Sequence, residues 1–147
     1  MKIKLTQERL SKALNYVTRA VSSKHNIPVL SNVLLEVTKT DLGLSATNLD
    51  MGIHMWIGGQ ADEQGKVTAS GKFLSDFVSA AGSGNVELEL KQDLLHVELG
   101  KAKADFLTIS ADEFPVLPKV AGEPHFVVPA HDLIKALDQT IFATSND

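Results

Sequence analysis

Polar and apolar residues alternate over Lys2-Ile3-Lys4-Leu5, the period of a half-buried strand, and the period then lengthens to that of a helix. From Thr6 to Val21 the residues Leu10, Leu14, Val17 and Val21 fall on one stripe, while Glu8, Lys12, Asn15 and Arg19 point the opposite way. Thr6 stands as N-cap, but Arg9 occupies the place where a capping box would put Glu. A connector from Ser22 to Ser31 is polar first and apolar around Pro28. Strands are predicted at Val33 to Val37, Leu42 to Thr47 and Met51 to Ile57, the last with Ile53, Met55 and Ile57 on one side. Thr40-Asp41 and Asn48-Leu49-Asp50 make the turns between them, and Gly58-Gly59 with an acidic loop at Asp62-Glu63 ends this half.

The pattern then restarts. Lys66 to Ala69 reads as a strand, and Ser70 caps a helix whose apolar stripe is Phe73, Leu74, Phe77, Val78 and Ala81. Gly82-Ser83-Gly84 stops that helix, and strands follow at Val86 to Leu90, Leu94 to Leu99 and about Lys103 to Ile109. A shift of 64 lays the first strand and helix over the second, with Leu10 on Leu74 and Ser11 on Ser75. The later hairpins align best at 52, with Lys39-Thr40-Asp41-Leu42 on Lys91-Gln92-Asp93-Leu94, so about twelve extra residues are assigned to the Ser22 to Ser31 connector. A loop lengthened in only one of two equivalent halves is a place to look for function. A shift of 123 finds the unit again near the end, where His125 to Val128 is predicted as strand and the following residues as helix. The pattern is therefore α+β, with β-α-β-β-β halves. One module is expected over residues 1–121 and the cut-short start of another over 122–147, joined by a linker around Val116 to Glu123.

Composition narrows the chemistry. The 147 residues carry no cysteine, which excludes disulfides and thiolate metal sites and favours a reducing compartment, so the expected location is cytoplasmic. A formal net charge of −4 argues against nonspecific nucleic-acid binding by the surface as a whole. Charge is unevenly placed, however: from Thr6 to His25, Arg9, Lys12, Arg19 and Lys24 face only Glu8. The other two helices have no such excess, since Asp76 offsets Lys72 and Asp132 and Asp138 outnumber Lys135. The five histidines lack the i, i+4 spacing of a helical zinc site, and no glycine-rich phosphate loop or nucleophile elbow is present, so no metal, cofactor or catalytic residue is expected. Asp50 and Asp112-Glu113 read as turn residues, and Tyr16 and Trp56 as packing residues.

With its repeated halves, Pro28-Val29-Leu30-Ser31-Asn32 before the first long strand, Thr47-Asn48-Leu49-Asp50-Met51 at the second turn and Asp112-Glu113-Phe114-Pro115 at the module end, the chain resembles the bacterial replicative sliding clamp, the beta subunit of DNA polymerase III. The resemblance covers the first of that family's three modules and the opening of the second. It implies the DNA-clamp fold, with two helices packed on antiparallel sheets. It also implies a non-catalytic processivity factor that closes head to tail as a homodimer around double-stranded DNA and tethers the replicative polymerase after a clamp loader has placed it. Lys24 occupies the place of a basic loop residue that family members direct at DNA, with His25 beside it. Arg19 and Lys12 extend that surface by helix geometry. Lys72, Lys101, Lys103 and Phe106 match positions on the family's protomer interface. Two further readings stay open: a clamp-fold adaptor that binds proteins without meeting DNA, and an acid-base hydrolase using Asp50 or Asp112.

Overall fold

The computed structural model describes residues 1–22, 27–118 and 126–144. The chain divides into two compact units, Met1–Leu117 and Pro118–Asp147. In the first, strands β1 (Lys2–Thr6), β2 (Asn32–Val37), β3 (Asp41–Thr47), β4 (Gly52–Gly58), β5 (Gln60–Glu63), β6 (Gly65–Ser70), β7 (Asn85–Lys91), β8 (Leu94–Leu99) and β9 (Ala102–Ile109) accompany helices α1 (Gln7–Val17) and α2 (Gly71–Ala80). The strand order is β4-β3-β2-β6-β9-β8-β7-β1-β5, with every neighbouring pair antiparallel.

The halves are interlocked by exchange of their first strands. β1 joins β7 of the second half, Lys2 to Thr6 opposite Glu89 to Asn85, while β6 joins β2 of the first half, Lys66 to Ser70 opposite Glu36 to Asn32. These two ladders superpose when β1 is moved by 64 and β2 by 53. The hairpins obey the same 53, since Leu35 opposes Leu44 and Leu88 opposes Val97. The sequence-based shift of 52 is therefore one residue short. Matching Lys-X-Asp-Leu strings aligned the turn letters rather than the paired positions, and a slip of one residue exchanges the two faces of a strand. The first half thus holds eleven additional residues between helix and hairpin.

Each half ends in a strand that crosses between layers. β9 pairs with β8 over Ala102–Leu107 and with β6 at Thr108 and Ile109. In the first half the same path is cut in two: β4 pairs with β3, and β5 pairs with β1. The acidic stretch predicted as a loop is thus strand, held by Lys2 opposite Glu63 and by the N-terminal ammonium 3.1 Å from the Glu63 carboxylate. The interruption is Gly59, where a Cβ would stand 2.8 Å from Ile3 Cδ1 and 3.0 Å from the Lys4 carbonyl oxygen. Only a residue without a side chain lets the two backbones approach there.

Leu10, Leu14 and Val17 of α1 and Leu74 and Val78 of α2 are buried with Ile3, Leu5, Val33, Leu35, Leu42, Leu44, Val86, Leu88, Leu95 and Val97 of the strands. Each large apolar side chain removed from water contributes about 1.5–3 kcal/mol, which makes the stripe of α1 the main reason it docks. Two local expectations are corrected. Thr6 and Ser70 stand at the N-cap positions, but neither side chain makes a capping bond. At α1 the Gln7 amide is instead satisfied by the Gly84 carbonyl at 2.8 Å, because the helix starts directly from a strand whose neighbour supplies the acceptor. Phe73, assigned to the buried stripe of α2, is exposed, since Leu74 and Val78 occupy the inward line and Phe73 lies a hundred degrees away.

In the second unit α3 (Ala130–Asp138) begins 123 residues after α1 and 59 after α2, so the helix repeat holds three times. The strand predicted before it does not: Phe126, Val127 and Val128 form no strand, and His125 lies outside the described residues. A strand needs a partner for its backbone groups, and no described residue of this unit pairs with it. No helix among the described residues is long and apolar enough to cross a membrane.

Candidate nucleic-acid interface

Helices α1 and α2 lie side by side and antiparallel. Gln7 donates from Nε2 to the Val78 carbonyl at 2.8 Å and the Ser11 and Ser79 hydroxyls are 3.3 Å apart, so the start of α1 meets the end of α2. At the other end, a Cβ on Gly71 would touch Val21 and Thr18, so α2 begins beside the turn that follows α1.

Arg9, Lys12 and Tyr16 of α1 and, on the 3-10 turn Thr18–Ala20, Arg19 are all exposed. Spacings of three, four and three residues set them along one side of the helix, but the Arg9 guanidinium leans toward β4, with Nη1 3.7 Å and the Asp41 carboxylate 3.9 Å from where a Cβ on Gly58 would stand. The Arg19 guanidinium carbon sits 5.6 Å from the centroid of the Tyr16 ring, within cation–π range. Tyr16, read from sequence as a packing residue, is 45% exposed. The exposed side of α2 carries Lys72, Phe73, Asp76 and Ser79, with no charge excess.

Cations on the strands are treated differently. Lys2 lies 2.7 Å from Glu87 and 3.5 Å from Glu89, Lys4 is 3.2 Å from Glu87, Lys66 is 2.9 Å from Asp112, Lys91 is 2.8 Å from Glu89 and Lys103 is 2.7 Å from Glu98. Every lysine that lies in a strand is therefore paired. The hydrogen bond from Lys2, followed by that from Lys4, holds the Glu87 carboxyl below its ordinary value, and the bond to Glu87, with Glu89 nearby, raises the Lys2 ammonium. By contrast, Arg9, Lys12 and Arg19 have no carboxylate within 4 Å among the described residues. Every strand lysine is paired, whereas the helix cations have no ion pair among the described residues: Lys72 on α2, Lys135 on α3, and Arg9, Lys12 and Arg19 on α1 and its 3-10 turn, where three of the five gather.

The remaining predicted positions divide. Lys24 and His25 lie outside the described residues; the Ser22 amide donates to the Leu30 carbonyl at 3.1 Å. Lys72 is exposed near the start of α2, and Lys101 is exposed in the turn before β9. Lys103 and Phe106 sit on opposite faces of β9: Lys103 outward on Glu98, Phe106 inward, its ring 6.0 Å from that of Phe77 at 73°. What those two share is an edge, because Ala102 to Leu107 pair with β8 alone. The next outward residue, Leu107, is 82% exposed. It was not singled out in the sequence, where it is one apolar letter in a predicted strand; the signal available was its alternation against Phe106.

Asp50 and Asp112 have structural occupations. The Asp50 amide donates to Asn48 Oδ1 at 3.1 Å in a turn, and Asp112 pairs with Lys66 while its amide donates to the Ser110 hydroxyl at 3.3 Å. No group of three or more metal-ligating side chains occurs among the described residues.

The described residues thus form a duplicated two-layer module that carries three cations on and just after one of its helices. Residues 1–118 match the model of the DNA polymerase III beta subunit N-terminal domain, and the chain belongs to that family. It is 37% identical over 150 residues to the beta sliding clamp of Synechococcus elongatus and 32% identical to that of Caulobacter vibrioides, each alignment spanning 100% of this chain and 40% of the relative. Among solved structures, the Caulobacter crescentus pol III beta superposes with a TM-score of 0.92 at 32% identity, covering 100% of this chain and 40% of that one. A Pseudomonas aeruginosa DNA polymerase III subunit beta gives 0.91 at 27% identity. The chain thus spans 40% of the length of these relatives.

Proposed function

We propose that residues 1–121 form the first module, and residues 122–147 the opening of the second, of a cytoplasmic sliding clamp: a non-catalytic processivity factor that surrounds double-stranded DNA as a head-to-tail homodimer and holds the replicative polymerase there. The observation that carries this reading is the charge asymmetry. A ring that travels along a duplex needs sequence-independent attraction to phosphates, and Arg9, Lys12 and Arg19 supply it from the helical side while the strand lysines are already neutralised. Lys24 and His25 extend the same line of sequence.

Besides the four-residue β5, which ends the sheet against β1, two longer open strand edges support the ring. β9 from Ala102 to Leu107 and its counterpart β4 each pair on one side only among the described residues, and an unpaired edge is a template for another strand. A module with two such edges is a link with two ends. On this reading the β9 edge, with Lys72, Lys101, Lys103 and Phe106 around it, meets the partner protomer. Loader and polymerase contacts belong to the complete protomer.

The test grafts residues 1–118 in place of the first module of the Caulobacter clamp and loads the chimera on nicked circular duplex. Retention is expected to shorten when Lys24→Ala and Arg19→Ala are introduced together, and more so at higher salt. Unchanged retention sinks the DNA-facing assignment and favours an adaptor that uses the fold without touching nucleic acid.

A further inference from the structure

We infer that Tyr16 is a positioning residue for DNA contact, fixing Arg19 so that Arg9, Lys12 and Arg19 act as three phosphate contacts along α1. This deepens the reading of the preceding section and rests on it. Three observations meet here. The four side chains are exposed along α1 and the turn after it, none of the three cations has a carboxylate partner among the described residues, and the Arg19 guanidinium is seated over the Tyr16 ring at 5.6 Å.

Each has a physical consequence. An arginine on a helix end samples many rotamers in water, and ordering its long side chain at a phosphate carries an entropic cost. A cation held against an aromatic face has met part of that cost before DNA arrives. Seating the guanidinium on a ring also leaves its N–H edge pointing outward in the plane where phosphate oxygens are bound. The same contact occupies one face of Tyr16, so the ring serves the arginine and is not a platform for a splayed base. Ten residues separate Arg9 from Arg19, about 15 Å at helical rise. That length covers about four base-pair steps of a duplex, too long for one small anion. Two acidic residues lie nearby among the described residues, Glu8 on α1 and Asp41 beside Gly58, and neither makes an ion pair with Arg9, Lys12 or Arg19.

The experiment uses the whole 147-residue chain and a short blunt duplex, with affinity read by amide chemical-shift titration at 50 and 200 mM salt. Three phosphate contacts predict about a fortyfold loss of affinity between those salts, and two predict about twelvefold. Arg9→Gln and Arg19→Gln are each expected to bring the ratio to about twelvefold. Tyr16→Ala keeps the Arg19 charge and is expected to bind several-fold more weakly than the parent at both salts, Arg19→Gln should cost less on top of Tyr16→Ala than it does alone, and Tyr16→Phe should behave as the parent because it keeps the ring. If the parent chain shows no salt-dependent binding, the clamp reading itself is at fault. If the parent binds with the fortyfold ratio and Tyr16→Ala binds as tightly at both salts, Tyr16 has no positioning role; a Tyr16→Phe variant as weak as Tyr16→Ala overturns the cation–π basis in the same way. An unchanged ratio in Arg9→Gln removes Arg9 from the line.

Discussion

The Trp56 indole covers Gly43 on the neighbouring strand: the two are directly opposed in the β3–β4 ladder, and a Cβ built on Gly43 would fall 2.7 Å from ring atom Cζ3. His54, two residues along the same face, meets the ring edge-on at 5.0 Å and places Nδ1 2.6 Å from the Ser45 hydroxyl. Together they cover the outward side of β3 at Gly43 and Ser45, which are buried although they face away from the helices. An aromatic laid over a strand glycine replaces the packing that glycine lacks. Gly43→Ala is therefore expected to push the indole aside and to lower stability by about 1–3 kcal/mol, the usual range for overpacking. Trp56 is the single tryptophan, so its emission shift and a urea titration report both effects on one sample.

A buried polar relay joins the two halves. Asn32 Nδ2 donates to the Thr68 hydroxyl at 3.0 Å, and that hydroxyl donates to the Ile109 carbonyl at 2.9 Å, linking β2, β6 and β9 where β9 crosses between layers. Removing its two side chains should have unequal effects. Thr68→Val leaves the Asn32 amide buried without an acceptor and is expected to cost about 1–3 kcal/mol, whereas Asn32→Ala removes a donor whose partner keeps its bond to Ile109. In the double variant the loss should be smaller than the sum of the two, a non-additivity readable from three urea curves. Additive losses mean that the relay does not act as a unit.

How much of this was legible in the sequence follows from period and repetition. Helix starts at Gln7, Gly71 and Ala130 obey the shifts of 64 and 123 seen in the letters, because stripes such as Leu10-Leu14-Val17 are local and strong. Family membership was legible too, carried by several short strings in the right order. Strand exchange was not, since nothing in Lys2-Ile3-Lys4-Leu5 names Asn85 to Glu89 as its partner. β5 was missed because Gln60 to Glu63 has no apolar alternation and becomes strand only by pairing with β1. Of the candidate interface, sequence gave the excess charge; it did not show that the strand lysines are neutralised, nor that Tyr16 carries Arg19.

The ion pairs on the sheet surface predict a pH dependence with a definite sign. Glu87, through its hydrogen bond from Lys2, and Glu89, through that from Lys91, titrate lower in the folded chain than the ordinary value of 4.5. Their contribution is complete above that value and is lost as pH falls through the lower folded values. Lys2 is raised above 10.5 by the same hydrogen bond, so its contribution is complete below that value and fades as pH rises through the folded one. Between pH 5 and 3 the parent chain should lose more urea resistance than Glu87→Gln does. Because both carboxylates are solvent-facing, 1 M salt should shrink the difference. Parallel acid profiles for the two proteins would show that the pairs contribute nothing measurable.

Phe106 and Leu107 are adjacent on β9 and face opposite ways, which separates stability from association. Phe106 packs edge to face on Phe77 beneath the strand, so Phe106→Ala is expected to destabilise the 147-residue chain by about 2–4 kcal/mol, toward the lower end of the usual phenylalanine range because the ring is only partly buried. Leu107 is almost wholly exposed, and Leu107→Ser should leave the urea midpoint within about 0.5 kcal/mol of the parent. In the Caulobacter chimera the order should reverse in its visible effect: Leu107→Ser weakens the dimer without unfolding the module, and charge reversal at Lys72 and Lys101 adds to that loss. Mass measurements across a dilution series read the dimer directly. A Leu107→Ser chimera that remains dimeric at the dilutions of its parent would remove the β9 edge from the protomer contact and leave β4 as the edge to examine.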